Sequence, residues 1–155
     1  MDWIDEIDAV IVCVPNQSHF YNALAAALRG KHLLVEKPLA TSLNEARELS
    51  VVAERAGIVL HTGFLHRHRP ECAAAGTLLR DGHIGRLLAI RGEIGHSQFM
   101  ARENHTAWYC DPAKSGGGVG LDLGIHLVDM ACWFLKLQCP EDEFRQPLCA
   151  YVVRG

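Results

Sequence analysis

The segment Asp8-Ala-Val-Ile-Val-Cys-Val14, which ends at Pro15-Asn16, is the most informative part of the sequence for the fold. A run of β-branched residues bounded by turn residues is typical of a strand that is buried on both faces of a parallel sheet. Two further runs of this kind, at residues 31–36 and 58–62, predict two more strands. A segment with helical character separates each run from the one before it.

The two intervening segments carry the usual signals of helix ends. Ser18 is a candidate N-cap for a helix over residues 19–29, and Gly30 supplies its end. Thr41 or Ser42 is a candidate cap for the next helix, which runs to Ala56-Gly57, and Ser42 and Glu45 have the spacing of a capping box. Strands and helices that alternate with short links predict right-handed crossovers and a mostly parallel sheet. The fold class is therefore α/β, with half of a doubly wound sheet in the first 65 residues.

Beyond Pro70 the alternation of strands and helices loosens. We expect a helix over residues 71–80, a strand over residues 87–95 and then a long polar loop. A helix is expected to resume after the glycines at 116–118 and to end near Leu137. The last stretch shows no clear periodicity and is left unassigned.

Charge and composition exclude several classes of protein. The chain has 15 Lys and Arg against 18 Asp and Glu, so its net charge of −3 gives no positive field to attract nucleic acid. Its longest apolar stretches are far shorter than the ~20 residues that span a bilayer, and its acidic start lacks the positive region of a signal peptide. We expect a cytoplasmic protein that binds neither nucleic acid nor membrane. The six cysteines form no C-x-x-C pair and are interpreted as buried thiols.

Lys37 stands in the motif Val35-Glu36-Lys37-Pro38, at the end of the second predicted strand. Open α/β sheets bind their ligands at the carboxyl ends of the strands. A lysine there can donate hydrogen bonds and positive charge to an oxygen that becomes anionic, and Pro38 restricts its backbone. The alternative is a solvated lysine that Glu36 holds in a weak charge pair.

A second candidate site follows the glycine run that begins at Gly116. If a helix starts there, the spacing of Asp122, His126 and Asp129 places all three on one face. An imidazole with a carboxylate one turn away has the composition of a general base held in one tautomer. The glycines would also let a substrate or cofactor approach the backbone closely. The alternative is a helix N-terminus with a capping aspartate and a hydrogen-bonded interior histidine.

The third pattern is a series of basic residues, His66, Arg67, His68 and Arg69. If the third strand continues through them, the two histidines share one face and the two arginines the other. Arg67 could then recognise a phosphate or a hydroxylated ligand. A metal site built from His61, His66 and His68 is the alternative, but no H-E-x-x-H motif or cysteine pair accompanies them.

Together these residues resemble the glucose-fructose oxidoreductase, inositol dehydrogenase and MocA (Gfo/Idh/MocA) family of NAD(P)-dependent oxidoreductases. The resemblance extends from Asp8 to about Leu135. Its landmarks, in chain order, are Val14-Pro15-Asn16 with His19, residues 27–32, Glu36-Lys37-Pro38, Gly63-Phe64 with Arg67, Trp108, and Gly116-Gly117-Gly118 followed by Asp122 and His126. Each landmark is weak alone, but their order and residue types together are specific.

The resemblance implies a Rossmann domain that binds NAD or NADP, followed by an α+β domain with a mostly antiparallel sheet. On this basis residues 1–65 are the second half of a Rossmann-type parallel sheet, residues 66–137 are the start of the α+β C-terminal domain, and residues 138–155 are an unassigned tail. The implied reaction is reversible hydride transfer between NAD(P) and a secondary alcohol of a sugar, inositol or related polyol.

The resemblance also implies roles for single residues. Lys37 would hydrogen-bond the reacting hydroxyl group, and His126 would be the acid/base, assisted by Asp122. The cofactor side would be lined by Pro15, Asn16, His19, Glu36 and Lys37. Arg67 and Trp108 would contact the substrate, and no residue would bind a metal. The peptide bond that follows Lys37 is expected to be cis.

The sequence departs from the family pattern at both ends. The family's first strand, its G-x-G-x-x-G turn and its acidic ribose-binding residue have no counterpart here, and most strands of the second domain are also missing. We therefore expect a truncated member that carries the catalytic residues without a complete cofactor site. One alternative is a non-catalytic remnant that binds family subunits or a second copy of itself through unpaired strand edges. Another is a metal protein, because the chain has 9 histidines.

Overall fold

The computed structural model describes residues 3–95, 108 and 111–138 of the chain. The chain divides into two units. The first, called the sheet unit below, comprises Met1–Phe64 and Gly95–Leu123, and the second, called the helical unit, comprises Leu65–Ile94 and Gly124–Gly155. The domain boundaries predicted from the sequence stay a prediction.

The sheet unit contains three parallel strands, β1 (Ala9–Val12), β2 (His32–Val35) and β3 (Leu60–Thr62), in the order β1-β2-β3. β1 and β2 are in register with Val12 beside Val35. The three predicted strands are thus confirmed, although each is shorter than the apolar run that predicted it. The fold is α/β, as the alternating pattern predicted.

The helices follow the predicted order along the chain. They are α1 (His19–Ala27), α2 (Leu43–Ala56), α3 (Pro70–Arg80), α4 (Pro112–Ser115) and α5 (Ile125–Gln138). At the start of α2, the Ser42 hydroxyl accepts a hydrogen bond from the backbone N–H of Glu45 at 3.3 Å, which confirms the predicted cap. Gly57, with φ of 65°, ends the same helix in the left-handed conformation that glycine adopts without strain.

The core of the sheet unit lies on one face of the sheet. Val12, Leu33 and Val35 are buried there, together with residues of α1 and with Leu49 of α2. The expectation that β1 is buried on both faces is wrong for the described residues. Ile11 is 67% exposed and Leu34 is 38% exposed, because the side chains of α1 and α2 enter the same core and cover the same face.

Two local predictions beyond the third strand are also wrong. Residues 65–68 do not continue β3 but form a 3₁₀ turn, Leu65–His68, so the basic residues do not alternate between two faces. The strand expected over residues 87–95 is absent, because β1, β2 and β3 pair only with one another within the described ranges and leave that segment without a neighbouring strand. The helix expected over residues 71–80 is confirmed as α3.

The helix expected after the glycine run is present, but it begins with a π-helical turn, Gly120–Gly124, before α5. The backbone hydrogen bonds of a π-helical turn run from residue i to residue i+5. The predicted shared face of Asp122 and His126 assumed the 3.6 residues per turn of an α-helix, and this turn departs from that geometry. By length and composition alone, the helical stretch Pro112–Leu135 is long and apolar enough to cross a membrane. That is weak evidence, since a core helix can pass the same test. Most of the expected polar loop and residues 139–155 lie outside the described residues.

Candidate active site

A cavity of about 230 Å³ lies at the carboxyl ends of β1 and β2, where a parallel sheet is expected to bind its ligand. Its lining residues are Cys13, Val14, Pro15, Asn16, His19, Glu36, Lys37 and Trp108. All five residues that the family resemblance places on the cofactor side are among them. Trp108, which the resemblance places on the substrate side, lines the same cavity.

Lys37 forms an ion pair with Asp122 inside the sheet unit. Its Nζ lies 2.5 Å from Oδ1 of Asp122 and 2.8 Å from the Asp122 backbone oxygen. The side chains of Lys37 and Asp122 are 16% and 33% exposed, so water reaches the pair only in part. Among the described residues, Asp122 accepts from two of the three ammonium protons, and the third is available to a ligand oxygen. A cation held in this way can stabilise negative charge without first having to be ordered.

Two contacts hold the segment that carries Asp122 against the strand ends. The Asn16 amide donates a hydrogen bond to the backbone oxygen of Ser115 at 2.9 Å. Gly116 has φ of 76°, and a Cβ at this residue would lie 2.6 Å from Cγ2 of Thr41. At Gly116 the backbone therefore closely approaches a protein side chain, that of Thr41, and the predicted approach of a substrate or cofactor to the glycine run stays a prediction. The sequence did not indicate the contacts that Thr41 and Ser115 make here, because both residues are distant in the chain from their partners.

His19 links the ends of the first two strands. Its side chain is buried, with Nδ1 2.6 Å from the Pro38 oxygen and Nε2 2.8 Å from the Val14 oxygen. Both ring nitrogens are thus engaged by backbone atoms of the two loops that form the cavity wall. The Lys37-Pro38 bond is cis, as the family resemblance implied.

Glu36 lies directly against the end of β3. Its Oε2 accepts a hydrogen bond from the backbone N–H of Lys37 at 3.2 Å. A Cβ at Gly63 would lie 3.1 Å from Oε1 of Glu36, so a larger residue at 63 would push the carboxylate aside. The family landmark Gly63 therefore has a local explanation, which is space for the Glu36 side chain.

In the helical unit, Arg67 binds Asp129 with two hydrogen bonds. Nε donates to Oδ2 at 2.8 Å, and Nη2 donates to Oδ1. The hydrogen bond with Asp129 raises the pKa of Arg67 above its ordinary value, and burial opposes this in part. The structure thus gives Arg67 a protein partner, and its predicted contact with the substrate stays a prediction.

His126 is a buried residue of α5, in the helical unit. Its ring packs edge-on against the ring of His66, with 4.5 Å between the ring centroids and 63° between the ring planes. The structure therefore joins Lys37 to Asp122 within one unit and joins His126 to His66 within the other. Within the described part of the chain, no group of three or more His, Cys, Asp or Glu side chains is arranged to hold a metal ion.

Comparison with known proteins identifies both parts of the chain. Residues 1–64 match the model of an oxidoreductase family described as an NAD-binding Rossmann fold, named GFO_IDH_MocA. Residues 72–141 match the model of the GFO/IDH/MocA C-terminal domain.

Single relatives agree with the family models. The chain is 38% identical over 124 residues to 1,5-anhydro-D-fructose reductase of Ensifer adhaerens, a match that covers 80% of this chain and 36% of that protein. It is 32% identical over 129 residues to scyllo-inositol 2-dehydrogenase (NAD(+)) of Bacillus subtilis, with 83% of this chain and 35% of that protein covered. A crystal structure of an inositol dehydrogenase homolog from Azotobacter vinelandii, complexed with NAD+, superimposes with a TM-score of 0.75 at 27% identity, covering 88% of this chain and 36% of the other. The chain thus spans little more than a third of the length of these relatives.

Proposed function

Because the chain belongs to the Gfo/Idh/MocA family of NAD-binding oxidoreductases, we propose that it acts in reversible hydride transfer between NAD(P) and a secondary alcohol. The alcohol is that of a sugar, inositol or related polyol. The observation that carries this proposal is the Lys37–Asp122 pair, because it presents a positioned ammonium group on a cavity lined by the expected cofactor residues. The substrate class is supported by the anhydrofructose and inositol named in the relatives.

The cavity fits one end of a nicotinamide dinucleotide. Its volume of about 230 Å³ is below the ~300–1,000 Å³ of pockets that enclose drug-sized ligands, so it suits a ring with its immediate substituents. Val14, Pro15 and Trp108 supply apolar and aromatic surface, while Glu36 and Lys37 supply polar groups that orient a ligand. When bound, NAD(P) accepts or supplies the hydride.

Lys37 acts on the oxygen of the substrate. An alcohol that loses hydride from carbon must also lose its hydroxyl proton, and negative charge develops on the oxygen as that proton leaves. The third N–H of the Lys37 ammonium group donates a hydrogen bond to this oxygen and stabilises the charge. Asp122 fixes the direction of the ammonium group through the two bonds that it accepts.

We assign the acid/base role to His126. In oxidation its imidazole accepts the hydroxyl proton, and in reduction it returns the proton to the oxygen. A general base must hold one orientation, and the buried His126 ring is restricted on one side by the ring of His66. The support for the role itself is the family resemblance of the motif around Asp122 and His126.

The test is a screen for oxidation of sugars and inositols with NAD and NADP, made on the wild-type chain and on Lys37→Met. We expect activity in the wild type and a loss of about 10²–10³-fold in kcat for the variant, the usual cost of removing one donor to a developing oxyanion. Lys31→Met is the matched control, because Lys31 precedes the amino end of β2, away from the cavity. Equal loss in both variants, or none in Lys37→Met, would contradict the role of Lys37.

A second candidate function is association with another copy of the chain or with a family subunit. It is favoured by the apolar side chains of Ile11 and Leu34 on the sheet face that the described helices leave open, since parallel sheets are usually covered on both faces. The wild type would then sediment as a dimer, and Ile11→Ser combined with Leu34→Ser would sediment as a monomer. A monomeric wild type that binds no family subunit would exclude this function.

We propose the cytoplasm as the location of the chain, without nucleic acid or membrane as partner. The net charge of −3 supports the absence of polyanion binding.

A further inference from the structure

We propose that Arg67 and Asp129 form a positioning pair for the imidazole of His126 and that Arg67 does not bind a ligand. The inference deepens the proposed function and rests on it, because it concerns the residue assigned there as acid/base. It is carried by two side-chain contacts that connect the same two elements of the helical unit, the 3₁₀ turn Leu65–His68 and helix α5.

The His66–His126 contact and the Arg67–Asp129 contact lie next to each other, both on the 3₁₀ turn and on helix α5. His66 and Arg67 are consecutive in the turn, and their partners His126 and Asp129 lie three residues apart on α5, which places them one helical turn from each other. A guanidinium group that binds a carboxylate through two parallel hydrogen bonds fixes both the distance and the direction of its partner. Since the turn has only 4 residues, fixing Arg67 also fixes the ring that packs against His126.

Burial makes this pair hard to release. The Asp129 side chain is 5% exposed and that of Arg67 is 33% exposed. A carboxylate that is removed from water needs a cation beside it, so Asp129 holds Arg67 in place. The guanidinium edge formed by Nε and Nη2 is the one that Asp129 occupies, and it is therefore closed to a phosphate or carboxylate ligand.

The first test does not depend on enzymatic activity. The ring Cε1–H resonances of His66 and His126 are recorded by NMR at one fixed pH and are assigned with His66→Gln and His126→Gln. We expect the chemical shifts of both resonances to change in Arg67→Met and in Asp129→Asn. Arg29→Met is the control, because it removes an exposed ion pair, in which Nη1 lies 3.3 Å from Oδ1 of Asp5, and should leave both rings unaltered.

Circular dichroism shows which variants fold. If Arg67→Met does not fold, the His126 resonances are compared in Asp129→Asn and Arg67→Lys instead. Asp129→Asn keeps the shape of the side chain, and Arg67→Lys keeps its charge. Unchanged His126 resonances in a folded variant without the bidentate pair would overturn the proposal.

Kinetics of the full chain separate positioning from ligand binding. Misplacement of a reacting group by about 1 Å can cost about 10²-fold in rate, so we expect Arg67→Met to lower kcat by about 10–10²-fold with little change in KM. Arg67→Lys should recover part of the loss. A raised KM with unchanged kcat would overturn the proposal, because that pattern belongs to a residue that binds the substrate. If the wild type shows no dehydrogenase activity, the proposed function fails, while the NMR result still decides whether the pair positions His126.

Discussion

In the described part of the chain, each unit contains an ion pair between residues at least 62 positions apart, and these two pairs differ in chemistry. In the sheet unit, Lys37 binds Asp122 through one nitrogen, and within the described ranges its third N–H has no protein acceptor. In the helical unit, Arg67 meets the buried Asp129 through two nitrogens at once. A cation can therefore have different roles, depending on how many of its donors a protein carboxylate occupies. A lysine with an unused donor suits charge stabilisation in a reaction, whereas a bidentate arginine on a buried carboxylate suits fixing two elements together.

Stability measurements on variants of the two cations should separate the pairs most strongly. Arg67→Met should lower the free energy of unfolding by about 3 kcal/mol, because it leaves the Asp129 carboxylate, only 5% exposed, without its counterion. Lys37→Met should cost about 1 kcal/mol or less, since the Asp122 carboxylate that it leaves behind is 33% exposed. Urea unfolding of both variants provides the comparison. Equal losses would show that the two pairs do not differ as described.

The docking of the Asp122 segment can be tested at Gly116. Gly116→Ala should destabilise the chain by about 1–3 kcal/mol, because the new Cβ meets Thr41 and because φ of 76° is unfavourable for any residue with a Cβ. Gly118→Ala is the matched control, since a Cβ there would meet nothing within 4 Å. Thermal unfolding followed by circular dichroism measures both. A loss of the same size at Gly118 would assign the effect to glycine replacement in general rather than to contact with Thr41.

The smallest expected effect concerns pH. The pKa of Arg67 is raised by its hydrogen bond with Asp129, so its contribution to stability is fully present below its unfolded pKa and is lost only as pH rises through the folded pKa. From neutral to moderately alkaline solution, the stability difference between the wild type and Arg67→Met should therefore stay constant. Urea unfolding at several pH values checks this. A difference that shrinks well before strongly alkaline pH would mean that Arg67 is not the charged partner of Asp129.

The features that the sequence predicted are those set by short-range patterns. The strands and helices up to residue 62, the Ser42 cap and the glycine that ends α2 all follow from local propensity and turn chemistry. Lys37 could be placed at the cavity because the residues that follow parallel strands meet at one sheet edge.

The features that escaped prediction depend on partners far along the chain. The segment 87–95 reads as a strand, but strand formation requires a neighbour with which to pair. The 3₁₀ turn Leu65–His68 contains an arginine whose partner, Asp129, lies 62 residues further on. The close approach at Gly116 was visible in the glycine, but its contact with Thr41 was not, because no local pattern connects the two residues.

The cavity at the ends of β1 and β2 is the proposed cofactor site, and a binding measurement can test this assignment. The measurement is a fluorescence titration of the folded 155-residue chain with NADH and NADPH, repeated with Trp108→Phe and Lys37→Met. We expect saturable binding of at least one of the two cofactors, with a smaller change in protein fluorescence for Trp108→Phe. A chain that is folded by circular dichroism and binds neither cofactor would contradict the proposed function.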